Sequence, residues 1–154
     1  MPLAEAGFAH RNVPEDQRAS LLIRFGPTLQ VTVGHLDAKD PAVPVLDGGR
    51  ASESVYALVD ADALESCVDD QLAKKLALPV IDRQQCAGVG GPSTHDVYLA
   101  LVEIPALAFV QYGRFMGVHL AIGGQQHQAL LGRTLLDGMV MIYDGAKGSV
   151  TLAR

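Results

Sequence analysis

Apolar residues in this chain gather in short runs punctuated by glycine, proline and charge, a rhythm that predicts many short strands. Ser20 to Phe25 and Thr28 to Leu36 are β-rich runs parted by Gly26-Pro27, a turn signal, and predict a hairpin or two successive strands. Val55-Tyr56-Ala57-Leu58-Val59 is an apolar strand that delivers Asp60 onto a turn. Val80 to Arg83, the turn Gly88-Val89-Gly90-Gly91-Pro92 and the alternating run Val97 to Ile104 predict a hairpin with a flexible tip. Phe115 to Ile122, Ala129 to Leu131, Met139 to Tyr143 and Ser149 to Leu152 add further strands, the last two joined by Asp144 to Gly148. Helical spacing occurs in one place, Asp69 to Leu78, with acids at its start, Lys74 and Lys75 toward its end and Pro79 as its stop. Residues 1–19 read as a polar N-terminal arm, and residues 37–54 as a long surface loop rich in proline, glycine and charge. Many short strands with one main helix imply a mainly β, closed or nearly closed, barrel-like domain over residues 20–154.

Composition narrows the functional classes. The chain has 154 residues, 49% of them hydrophobic and 19% charged, which is enough for one domain with a real core. A net charge of −5 with scattered Lys and Arg argues against a nucleic-acid partner. The opening residues have no basic region before a long apolar stretch, so neither export nor membrane insertion is expected. Two cysteines, Cys67 and Cys86, are too few for a disulfide framework; they read as small core residues, and a cytoplasmic location is expected. His10, His35, His95, His119 and His127 show no paired spacing and the cysteines form no Cys-x-x-Cys, so no metal and no cofactor is expected. Gly88 to Gly91 lacks the Gly-Lys-Ser/Thr and the helix of a phosphate loop.

Three segments in order carry a resemblance. The strand ending in Asp60-Ala61-Asp62-Ala63, followed by Cys67-Val68-Asp69 and a helix, is similar to the active-site turn of retropepsin-like aspartic proteases, the single-lobe retroviral type. The hairpin over residues 86–96, with Gly88, Val89, Gly90 and Gly91 at its tip, resembles the family's flap. Leu130-Leu131-Gly132-Arg133 looks like the family's hydrophobic-hydrophobic-Gly-Arg segment, which threads past the turn, Gly132 allowing close backbone approach.

The resemblance implies an acid-protease fold with its active site on a homodimer two-fold axis, and hydrolysis of a peptide substrate. One chain supplies one Asp60. The second carboxylate would be Asp60 of another copy, the pair sharing a proton so that one activates water while the other polarises the scissile carbonyl. Arg133 is expected to brace a carboxylate near the turn, with Asp62, Glu65 and Asp69 the neighbours in sequence. Two positions depart from the family. Ala61 stands where Thr or Ser would supply a hydroxyl across the two-fold, and Asp62 stands where Gly would turn its amide toward the catalytic carboxylate. Two classes of function follow: an aspartic endopeptidase, impaired by these changes, or a non-catalytic dimer that binds peptides or serves as a scaffold.

Overall fold

The computed structural model describes residues 1–36, 44–45 and 52–154; most of the expected 37–54 loop lies outside the described residues. The architecture is mainly β, with 49% strand, 17% helix and a closed six-stranded barrel. The barrel strands are β2 (Thr28–Leu36), β4 (Ser52–Val59), β5 (Cys67–Asp69), β7 (Gly91–Ile104), β8 (Phe109–Val118) and β9 (Ala129–Leu131). They run β2-β4-β9-β5-β8-β7 and close where Val33 of β2 pairs with Val102 of β7. Inward positions such as Val31, Val33, Ala57, Val68, Val102 and Leu131 are almost wholly buried, as the period of two demands. Closure satisfies both edges of every barrel strand over its paired length, which an open sheet of such short strands would leave unbonded.

Five of the described strands lie outside the barrel. β3 (Pro44–Val45) pairs with β2, and β6 (Val80–Gly88) extends the sheet by pairing with β7. β1 (Leu3–Glu5), β10 (Val140–Asp144) and β11 (Ser149–Ala153) form a separate sheet in the order β1-β11-β10.

Two expectations are corrected at the N-terminus. Residues 1–19 are no free polar arm: Ala4, Ala6 and Phe8 are buried, and the Ala6 and Phe8 amides donate to Val150 and Gly148 carbonyls at 2.7 Å each. Arg11 completes the join, donating to the Thr28 carbonyl at 2.8 Å while lying over the Phe8 ring. Ser20 to Phe25 is helical, part of α1 (Glu15–Phe25), the longest helix among the described residues. Its first turn carries Glu15 and Asp16 and its last Arg24, complementing the helix dipole, and Gly26 ends it at φ 71°. The expected main helix is real but shorter, α2 (Asp70–Lys75), capped by the Asp69 carboxylate on the Leu72 amide at 3.3 Å. A third, α3 (Arg133–Leu136), follows the Leu-Leu-Gly segment directly.

β8 begins at Phe109, earlier than the apolar run Phe115 to Ile122 indicated, because Val110 to Arg114 pair with Glu103 to Leu99 of β7 while Val110, Tyr112 and Arg114 stay exposed. The run ends early as well, residues 119–124 forming turns. No described helix is long and apolar enough to cross a membrane.

Candidate active site and its covering hairpin

β9 is threaded between the two strands that bracket the Asp60 turn. Its residues Ala129, Leu130 and Leu131 pair in parallel with Ala57, Leu58 and Val59 of β4, while Leu130 and Ala129 pair antiparallel with Cys67 and Val68 of β5. Residues 60–66 therefore have to arch over the end of β9, and the segment after Leu131 runs along the arch. The Asp60 amide donates to the Leu131 carbonyl at 3.0 Å, the Arg133 amide to Ala63 at 2.9 Å and the Thr134 amide to Leu64 at 3.1 Å. Ser66, buried, accepts the Gly132 amide on its Oγ at 2.9 Å. A Cβ on Gly132 would fall 2.5 Å from the Glu65 carbonyl oxygen, so the crossing requires glycine for space.

Within the arch the Asp60 carboxylate is partly exposed and organised by its own turn. Its Oδ1 accepts the Asp62 amide at 3.1 Å and the Ala63 amide at 3.3 Å. Asp62 presents the first of these amides at negative φ and with its side chain exposed. Ala61 is exposed on the rim of the turn and brings no hydroxyl.

Among the described residues Arg133 braces no carboxylate. Its Nη1 donates to the main-chain carbonyls of Ala61, at 3.0 Å, and Asp62, at 2.7 Å, so it pins the outer limb of the turn. Of its three expected partners, Asp69 is committed elsewhere: its Oδ1 accepts the Leu120 and Ala121 amides at 3.0 Å each, in addition to capping α2. A carboxylate that is 1% exposed and accepts three amides holds a corner together. No sequence signal separated that role from a side-chain ion pair.

The hairpin of β6 and β7 stands beside this turn. Gly88 pairs with Gly91, which leaves Val89-Gly90 as a two-residue tip, and Gly91 has φ 98°. Both strands are exposed along most of their outer length, and Val89 has no cover at all. Few side chains secure the hairpin to the barrel. His95 donates from Nδ1 to the Gly117 carbonyl at 2.9 Å, and its Nε2 shares a hydrogen bond with Ser93 Oγ at 2.7 Å. At the base, the buried Tyr98 hydroxyl donates to Asp70 at 2.6 Å, and Lys74 pairs with the same carboxylate. Burial pushes the Asp70 carboxyl up, but hydrogen bonds from Lys74 and Tyr98 outweigh it and the net displacement is downward. A polar cavity of about 340 Å³ lies here between Lys74, Arg83, His95 and His119.

A second, less polar cleft of about 260 Å³ runs along Glu65, Ser66, Gly113, Phe115, Thr134 and Leu135 on the flank of the arch. Outward-facing Leu130, Cys67 and Met116 form a row across β9, β5 and β8. The hairpin lowers Cys86 onto that row, its Sγ 3.4 Å from the Met116 Sδ. Burial, then the charges of Asp60, Cys86 and Glu65, push the Cys67 thiol up to about 11. Among the described residues no group of His, Cys, Asp and Glu side chains is arranged to hold a metal.

The sequence-predicted residues Asp60, Ala61, Asp62, Ala63, Leu131, Gly132 and Arg133 therefore meet at one place, with Gly88 to Gly91 at the tip of the neighbouring hairpin. Ser66, the Tyr98–Asp70 brace and the sulfur row were not anticipated. Ser66 alone left a local sign, a hydroxyl directly after the turn. No protein-family model matches this chain, and a search of curated proteins returns no match.

Proposed function

We propose that the chain is an aspartic endopeptidase of the retropepsin-like type, working as a homodimer in which Asp60 of each copy contributes one carboxylate. The observation that carries this reading is the threading of Leu131-Gly132-Arg133 beneath the Asp60 turn, which holds one partly exposed carboxylate on two backbone amides beside an open cleft. Two such carboxylates close together cannot both stay ionised, so they share a proton. The ionised one takes a proton from water as the oxygen attacks the scissile carbonyl. The protonated one donates to the carbonyl oxygen, and a proton passed to the amide nitrogen lets the carbon–nitrogen bond break. An extended peptide would lie under the hairpin and add a strand, its main chain supplying affinity.

The free edge of β10 supports the dimeric part of the reading. Val140, Met141, Ile142 and Tyr143 are all exposed, on both faces of a strand that, among the described residues, pairs on one side only. Unpaired edges carrying large apolar side chains invite a second chain.

The second reading is a peptide-binding or scaffolding dimer without hydrolysis. Ala61 favours it, lacking the hydroxyl that would tie two turns together, as does the Asp62 carboxylate, which would add two charges at the axis. One experiment separates the two. The unmodified chain and an Ala61→Thr, Asp62→Gly variant are incubated with a diverse peptide library over roughly pH 3 to 8, and cleavage is read by mass spectrometry. Cleavage is expected from the variant, with tighter dimerisation, and Asp60→Asn on that background should lower it by about a thousandfold. A folded, dimeric variant that cleaves nothing leaves the binding module in place. Cleavage by the unmodified chain that the double change slows would make Asp62 a participant.

A further inference from the structure

Three sulfurs meet where the hairpin touches the barrel. Cys67 lies immediately beyond the arch on β5, Met116 is its register partner on the parallel neighbour β8, and Cys86 descends from β6 until its sulfur contacts that of Met116. In-register residues of adjacent strands project from the same face, so the Cys67 and Met116 side chains stand side by side, away from the buried Val68. Both cysteines are free and partly exposed, which gives a small oxidant access to them. They sit on two differently attached parts of the molecule: Cys67 on the stitched barrel wall, Cys86 on a hairpin held by a few side chains, His95 on Gly117, Arg114 on Asp82 and the Tyr98–Asp70 brace at its base.

We propose that Cys67 and Cys86 are a redox pair, and that an intramolecular disulfide between them ties the hairpin down onto the barrel wall immediately beyond the Asp60 arch. With hydrogen peroxide as oxidant the step balances in two stages. The Cys86 sulfur takes one oxygen, giving a sulfenic acid and one water. The Cys67 sulfur then displaces the hydroxyl, which leaves with the Cys67 proton as a second water while the sulfur–sulfur bond forms. The hairpin has to settle further onto the Leu130-Cys67-Met116 row to bring the Cα atoms within the roughly 4.4–6.8 Å that a disulfide spans. Its exposed strands and glycine tip let it do so, and Met116, unbranched and polarisable, gives way between them. Reduction frees the hairpin again. The proposal stands apart from peptide hydrolysis, since the bond forms whether or not Asp60 is catalytic.

The test uses the full chain, reduced and then exposed to graded hydrogen peroxide, alkylated without reduction, digested and mapped by mass spectrometry. The expected product is a cross-linked pair of peptides containing Cys67 and Cys86, in chains that run at unchanged molecular mass without reductant. Hydrogen exchange at residues 88–91 should slow by about tenfold in the oxidised form and recover with dithiothreitol. Cys67→Ser should abolish the cross-link and let a dimedone adduct accumulate at Cys86. Recovery of both cysteines in alkylated form would overturn the proposal, as would cross-links only between chains, or oxidation ending at Cys86 sulfinic acid and Met116 sulfoxide.

Discussion

The Asp60 arch and the β6–β7 hairpin are neighbours built in opposite ways. Every limb of the arch is tied to another segment: main-chain bonds to Leu131, Arg133 and Thr134, the Ser66 hydroxyl on Gly132, the Arg133 guanidinium on Ala61 and Asp62. The hairpin satisfies its main chain within itself and touches the barrel through a few side chains. A short segment with many long-range bonds opens only with the barrel, whereas a self-contained ladder can swing as a unit without breaking its own bonds. A catalytic or binding turn gains from the first construction and its cover from the second. The contrast separates a turn that is fixed to the barrel from a hairpin that is free to move beside it.

The largest expected effect comes from breaking the arch. Gly132→Ala puts a methyl 2.5 Å from the Glu65 carbonyl oxygen, where neither backbone can retreat without losing the bonds that define the turn. A loss of about 3 kcal/mol in urea unfolding is expected; a loss below about 0.5 kcal/mol would mean that the two segments are not packed so closely.

An intermediate effect is expected at the base of the hairpin. Tyr98→Phe removes the hydroxyl from Asp70 and should cost about 1–2 kcal/mol at neutral pH. The Asp70 carboxyl titrates lower folded than unfolded, so its contribution is present above the ordinary carboxylate range and is lost as pH falls through the folded value. The variant should therefore differ most from the parent at neutral pH and converge toward it in acid. Parallel stability curves down to about pH 2 would show that the hydroxyl does not hold the carboxylate.

The smallest effect sharpens the comparison from the other side. Val89→Ser at the tip removes a side chain that touches nothing and should leave stability within about 0.5 kcal/mol. In the same samples, amides of residues 89–91 should exchange far faster than those of Gly132, Arg133 and Thr134. Equal protection in the two segments would erase the distinction between fixed turn and mobile cover.

Much of the site was legible because its parts are local. Val55 to Val59 reads as a strand, Asp60 as the end of it, Leu131-Gly132 as an apolar segment requiring close approach, and Gly88 to Gly91 as a tip, each from its own neighbours. The N-terminal region misled because Ser20 to Phe25 is a short apolar run whose period does not distinguish strand from helix; the deciding signs, Glu15 and Asp16 in a first turn and Gly26 at the close, lay outside the run. Residues 1–19 look polar by composition, yet three small or aromatic side chains, Ala4, Ala6 and Phe8, suffice to dock them.

What the amino-acid order determined by itself is the set of short strands, the helix behind Asp69, and the placement of a single acidic turn and a glycine-bearing partner segment, because propensity, period and glycine's freedom act within a few residues. Tertiary structure alone decided that β9 passes between β4 and β5 and that β2 meets β7 to close the barrel. It alone turned Arg133 to main-chain carbonyls and Asp69 to three amides, and set Cys86 against Met116 beside Cys67. Those outcomes depend on which groups, far apart in sequence, are left unsatisfied when the barrel closes, and each buried donor or acceptor takes the partner that closure puts within reach.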